Sequence, residues 1–164
     1  MRAIAALLAT LSASVVASGG KPGLYTGRVY GQVPGATPGV VQQTSNTIAL
    51  LVRKSSLDAQ LSVSYWCADP GLSQGGFVIA AEMTFLHVAL KPNGAFRASG
   101  TFDQRDFSTA SPPGGTFTIS GRLSGTRAAG TFTRTAHVED SKSCTAVSAS
   151  WKATYTSRTA RSFP

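Results

Sequence analysis

The chain is 164 residues long and carries 15 Lys and Arg against 7 Asp and Glu, a net charge of +8, with two cysteines and two histidines. That length holds one ordinary domain with a real core but not two. Two cysteines exclude a disulfide-dense scaffold, and the basic balance points toward anionic partners such as wall polymers, lipid head groups or nucleic acid.

Met1-Arg2 leads into Ala3 to Ala17, an uncharged run through Ile4, Leu7, Leu8, Leu11, Val15 and Val16. A positive start, an apolar stretch too short to span a bilayer comfortably, and small or aliphatic residues at Val15 and Ala17 predict a secretory signal over residues 1–17, cleaved after Ala17. No cysteine follows the run to take a lipid, and no later apolar run is long enough for a membrane helix, so no membrane span is expected after cleavage. The mature domain is then 18–164, where 14 basic residues face 7 acidic ones because only Arg2 is lost, leaving about +7. The expected location is secreted, outside the cytoplasm, where Cys67 and Cys144 should pair as a disulfide.

Strand signals follow one another to the end. Tyr25, Gly27, Val29 and Gly31 share one side of a first strand, with Thr26, Arg28 and Tyr30 on the other. The span 32–46 holds Pro34, Gly35, Pro38 and Gly39 and reads as a loop. A second strand runs from about Thr47 to Lys54, with Ile48, Leu50 and Val52 on one face. The third is the clearest, since Leu57, Ala59, Leu61, Val63, Tyr65 and Cys67 share a parity that places Cys67 on the core side. After a loop over 68–76, Phe77 to Leu90 is apolar on both parities, which predicts a strand with a bulge or change of face near Glu82.

Lys91-Pro92-Asn93-Gly94 is the strongest turn in the chain, and its outgoing strand points Phe96, Ala98, Gly100 and Phe102 inward and Arg97 outward. A loop over 103–115 precedes a second hairpin, in which Phe117, Ile119, Gly121 and Leu123 turn through Ser124-Gly125-Thr126 into Arg127 to His137. Glu139 to Ser143 reads as a polar turn. The final strand, from about Thr145 to Tyr155, should bury Val147, Ala149, Trp151, Ala153 and Tyr155. The prediction is all-β: about eight antiparallel strands in a meander, closed into a barrel or a two-sheet sandwich, following the N-terminal signal helix. The cysteines should tie the third strand to the start of the last one.

The segments Asn93-Gly94-Ala95-Phe96, Gly115-Thr116-Phe117-Thr118-Ile119-Ser120-Gly121-Arg122-Leu123 and Ala129-Gly130-Thr131-Phe132, then Cys144 and Trp151-Lys152-Ala153, together resemble a pattern of uncharacterised secreted bacterial all-β proteins. The resemblance spans about residues 25–155. It implies a barrel-like fold and an extracytoplasmic location, and it implies no activity. Thr145-Ala146-Val147 stands where that pattern has a glycine shortly after the second cysteine, a departure that bears on the local turn.

No constellation for chemistry emerges, so the protein is read as not an enzyme, with no cofactor and no metal site. His87 sits in an apolar strand between Leu86 and Val88 and should point outward from a core face formed by Leu86 and Val88. His137, Glu139 and Asp140 fit a polar turn better than a metal site, since no second ligand cluster accompanies them. Asp103 and Asp106 flank Arg105 on one loop, too close in sequence to be held apart as a glycosidase pair. Ser120 lies in a strand without a placed base, and no Gly-x-Ser-x-Gly elbow occurs.

Two residues break the pattern in ways that suggest binding. Trp66 falls on the polar parity of the third strand and needs the loop over 68–76 to cover it, unless it is a recognition surface. Arg134 shares the parity of Gly130 and Phe132, so an unbroken strand would aim it inward, where it could hold an anionic group; a bulge or the barrel rim would release it. The basic residues Arg28, Arg53, Arg97, Arg122, Arg134 and Lys152 are scattered, not gathered in a run with aromatics, so nucleic acid is not the expected partner. The expected role is a secreted β-domain binding a partner or an anionic cell-surface component. The alternative is a small-ligand carrier in the manner of lipocalins, which requires a hollow interior of roughly 300 Å³ or more.

Overall fold

The computed structural model describes residues 19–31, 46–73, 75–101, 115–139 and 142–158. The segment 1–17, read above as a signal, and most of the spans 32–46 and 103–115, read as loops, lie outside them. The described chain is all-β. Strands β1 (Gly23–Tyr30), β2 (Thr47–Val52), β3 (Ser56–Ala68), β4 (Gly76–Ala89), β5 (Ala95–Thr101), β6 (Thr116–Ser124), β7 (Arg127–Arg134) and β10 (Val147–Ser157) form the wall, and the short β8 (His137–Glu139) and β9 (Lys142–Cys144) make a side hairpin.

Every pairing is antiparallel, in the order β4-β3-β2-β1-β10-β7-β6-β5, and β1 joins β10 through seven residue pairs from Leu24↔Ser157 to Tyr30↔Ser150. First and last wall strands therefore close the sheet on one side. On the other side β4 and β5 meet at their tight turn, where the Lys91 N–H donates to the Ala95 carbonyl at 2.9 Å and Gly94 takes φ 78°. Glycine adopts that left-handed conformation without the Cβ penalty other residues meet. Phe85 on β4 and Phe117 on β6 lie edge to face at 5.0 Å across the seam between the two strands. The architecture is a nearly closed barrel rather than a sandwich.

Period-two alternation carries the core. Tyr25, Ile48, Leu50, Leu57, Leu61, Val63, Ile119, Leu123, Phe132 and Trp151 are all sealed from solvent, and burial of such side chains contributes about 1.5–3 kcal/mol each before chain entropy is subtracted. Trp151 fills the centre, its indole N–H donating to the Thr131 carbonyl at 3.2 Å and its ring 5.8 Å from that of Phe96. Gly121 and Gly130 provide the space: a Cβ at Gly130 would lie 2.6 Å from the indole Cζ2. One barrel end is shut by Tyr25, whose hydroxyl lies 2.8 Å from the Gly125 carbonyl and 3.0 Å from that of Lys21, one proton serving both. Burial raises the Tyr25 pKa above the ordinary phenol value, against the opposing hydrogen bond to Lys21.

Four expectations are corrected. The irregularity of β4 is not near Glu82 but at Leu86-His87, opposite the step from Leu57 to Ala59 in β3. His87 takes φ 54° there, and Leu86 is 64% exposed rather than part of the core face. Within the span read as a polar turn, Lys142–Cys144 is a strand, β9, paired antiparallel with β8, and β10 begins at Val147 rather than Thr145. The disulfide consequently ties β3 to β9, where Cys67 and Cys144 are direct cross-strand partners with Cα atoms 4.0 Å apart, instead of to the last strand. Finally, β7 keeps register with both neighbours through Arg134, paired to Phe117 and Val147, so no bulge turns that side chain away from the interior.

Candidate functional site

Trp66 and Arg134 are placed on opposite sides of the wall and do not form one site. Trp66 lies on the outer face of β3 and is only 9% exposed. Its ring packs against Gly76, at the end of the connection over 68–76, and its backbone carbonyl accepts a hydrogen bond from the Thr145 N–H at 2.8 Å. Arg134, 6% exposed, lies inside the barrel with its guanidinium 4.0 Å from the centroid of the Tyr65 ring, a stacked cation–π arrangement. Among the described residues no group of three or more His, Cys, Asp or Glu could hold a metal, and no helix could cross a membrane. Asp103, Arg105, Asp106 and Asp140 lie outside the described residues.

The titratable cluster that the structure does build is structural in kind. Asp58, on the outer parity of β3, is buried beside the bulge, where its carboxylate accepts the His87 amide N–H at 2.8 Å and the Arg53 guanidinium at 2.7 Å. Burial disfavours its charged form, but these two partners outweigh that cost and hold the carboxyl below its ordinary range. The bulge explains the cluster: an extra residue at β4 leaves an unpaired amide, and Asp58 satisfies it. The His87 ring itself is 81% exposed with Nδ1 3.9 Å from Asp58, which gives it no partner set for acid–base work.

The strand register gathers what the sequence scatters. On the outer face, one row crosses Arg122 (β6), Ala129 (β7), Lys152 (β10) and Arg28 (β1) as successive cross-strand neighbours. Arg97 faces Ser120 and Arg127 faces Thr154 in the flanking rows. All five cations are exposed, and among the described residues none has a carboxylate partner. Strands β5, β6, β7, β10 and β1 contain no Asp or Glu at all. Between the cations run hydroxyl pairs, with Ser99 and Thr118 2.8 Å apart, Ser120 and Thr131 3.0 Å, and Thr26 and Thr156 2.8 Å. Lys152 and Arg28 stand directly opposite and Arg122 two strands away, about 10 Å by ordinary strand spacing.

Beyond Arg28 the same face sinks into a groove of about 290 Å³, whose lining includes Thr26, Thr47, Ala49, Gln60, Ser62 and Glu82. Small side chains at Ala49 and Ser62 make the depression. Tyr30, 51% exposed, stands two residues from Arg28 on the same side of β1. Of these residues the outward parity of Arg28, Arg97 and Tyr30 is visible in the sequence. The convergence of Arg122 and Lys152 could have been suspected from five strands without a carboxylate, but nothing in the sequence marks the groove.

Comparison with known proteins gives no match: no family model, no curated protein and no solved structure matches the chain.

Proposed function

We propose that the protein is an exported, non-enzymatic β-domain that binds an anionic polymer of the cell surface through the outer face of β5, β6, β7, β10 and β1. The observation that supports this reading is the row Arg122, Lys152 and Arg28, which collects exposed positive charge on strands free of carboxylates. Unneutralised like charges on a rigid sheet raise the local concentration of a polyanion and hold it over several contacts at once. Export is supported by the segment over 1–17 and by the Cys67–Cys144 bond, which persists in an oxidising compartment.

The test is co-sedimentation with cell-wall material at rising salt. Binding at roughly 0.05 M ionic strength should be lost by about 0.5 M, as screening shortens the reach of the charges. Arg122→Gln with Lys152→Gln should abolish it at low salt. Binding indifferent to salt and to that pair of substitutions overturns the proposal.

The carrier reading keeps one supporting observation, a barrel in which the first and last wall strands pair and Arg134 points inward. Trp151, Phe96 and Phe132 occupy its middle, so any ligand would have to lie at the Arg134 end.

A further inference from the structure

Building on the anionic-polymer reading, we infer that the groove beside Arg28 is a saccharide subsite, and that the polymer held by this face is an acidic carbohydrate, whose sugar rings enter the groove while their acid groups meet Arg28 and Lys152. Charge alone does not distinguish a polyphosphate, a nucleic acid, a lipid surface and a uronate-type glycan. The groove does, because it sets hydroxyl, amide and carboxylate groups around a floor of Gly27, Ile48, Ala49 and Leu61, a mixture that suits the hydroxyls and the apolar face of a sugar ring.

Its position comes first. Arg28 is the direct cross-strand partner of Thr47 on one side and of Lys152 on the other. Thr47 lines the groove, so the cationic row runs straight into it. The opposite wall is Glu82 on β4, the cross-strand partner of Ser62 on β3. Crossing from β10 to β4, the outer face therefore reads ammonium, guanidinium, hydroxyl, hydroxyl, carboxylate. Next to it lies a second line, in which Thr26 faces Ala49 and Ala49 faces Gln60.

The chemistry comes next. Thr26, Thr47 and Ser62 offer hydroxyls that donate and accept, Gln60 offers an amide that does both, and Glu82 offers a carboxylate that only accepts. A sugar ring carries several hydroxyls able to pair with all of them, and the shallow Ala49 floor leaves room for its flat face. A volume of about 290 Å³ lies at the lower end of pockets that hold small molecules. A phosphate chain can accept from the Gln60 amide N–H but has no donor for Glu82, so the carboxylate repels it without a compensating hydrogen bond, whereas the hydroxyls of an acidic sugar donate to Glu82 while its acid group stays at Arg28 and Lys152. Stacked bases need aromatic platforms, and Tyr30 is the single exposed aromatic among the large exposed hydrophobics described. A lipid surface needs apolar anchors, yet the exposed Leu72 and Leu86 lie on the β3–β4 connection and at the β4 bulge, away from the cationic row.

The experiment is calorimetric titration of the purified protein with four probes matched in charge: oligogalacturonate, polyphosphate, oligothymidylate and phosphatidylglycerol vesicles. Wild type should bind oligogalacturonate at least ten-fold more tightly than the other three. The paired substitution Gln60→Ala with Glu82→Ala sits on the exposed sheet face and should leave the melting temperature unchanged. It should weaken oligogalacturonate about ten-fold, while polyphosphate binds as well or better because a negative charge has gone. If all probes bind alike, or if another probe binds tightest, or if the groove pair changes oligogalacturonate and polyphosphate in the same direction, the saccharide subsite is overturned and the charge-only reading stands. Binding to none of the four overturns both.

Discussion

The two halves of the barrel wall solve the same packing problem inside and differ outside. From β5 through β6, β7 and β10 to β1 the strands are regular, the outer face is hydroxyls and cations, and no carboxylate occurs. From β2 to β4 the wall carries the bulge at Leu86-His87, the buried Asp58 with Arg53, the covered Trp66 and the disulfide to β9. Asp58 and Glu82 lie on strands of this second half, and Asp69 on the connection between β3 and β4. The difference teaches that the outer surface of one half helps hold the fold, while the other half owes its fold to its inner face and leaves its outer face available.

The largest effect should come from the cross-link. Reducing the Cys67–Cys144 bond, or replacing both residues by serine, frees a loop with a sequence separation of 77. The chain-entropy model gives about 4.5 kcal/mol for a loop of that size. Denaturant unfolding of the double variant should show a loss near that value; a loss under about 1 kcal/mol would mean that the β8–β9 hairpin is not needed to hold β3.

On the regular half the sensitive positions lie beneath the surface. Gly130→Val places two methyl groups where the Trp151 indole and the strand of Ser120 already lie, and overpacking of this kind costs about 1–3 kcal/mol, here toward the upper end. Thermal unfolding would measure it. A tolerated valine would show that the β6 backbone at Ser120 and Gly121 can shift away from β7 as well as that the Trp151 ring can move, and the contrast between a rigid interior and a free exterior on this half would weaken.

Asp58→Asn tests the irregular half from its outer side. Asparagine keeps an acceptor for the His87 N–H but presents no charge to Arg53, so a loss of about 2 kcal/mol at neutral pH is expected from a charge-assisted pair. The folded pKa is depressed, so this stability is fully present above the ordinary carboxylate pKa of about 4 and is lost as pH falls through the lower folded value. Wild type and variant should therefore converge on acidification, as followed by denaturant midpoints between about pH 7 and pH 2.5. A gap that persists at the acid end would assign the loss to side-chain shape instead of charge.

How much of this was legible follows from the range over which each feature is encoded. The alternation from Leu57 to Cys67 is local, so strand, face and the inward cysteine could be read directly. The position of the bulge is not encoded locally, because Leu86 is apolar and alternation favours such a residue for the core; only the partner strand, with Asp58 ready to take the His87 amide, fixes where the extra residue goes. The hairpin of β8 and β9 escapes because three-residue polar strands have no period to detect. The cationic row is encoded by register alone: Arg28 and Lys152 belong to opposite ends of the chain and become neighbours only when β1 meets β10. A scatter along the sequence was thus compatible with a cluster in space.

The smallest effect has the most informative sign. Arg28 and Lys152 are exposed and directly opposite across an antiparallel pair, an arrangement of like charges that disfavours the sheet by about 0.2–1 kcal/mol. Lys152→Thr replaces one charge with a residue of high strand preference and continues the hydroxyl pattern of β10. It should raise stability by about 0.5 kcal/mol at low salt, and the gain should shrink as salt screens the pair in wild type. On the irregular half a comparable removal of charge, at Asp58, is expected to lower stability. Opposite signs for the two substitutions would show that the cations on β10 and β1 persist at a cost to the fold, as residues kept for a partner do. A loss on replacing Lys152 would instead give that lysine a part in holding the sheet and remove the contrast on which the binding face rests.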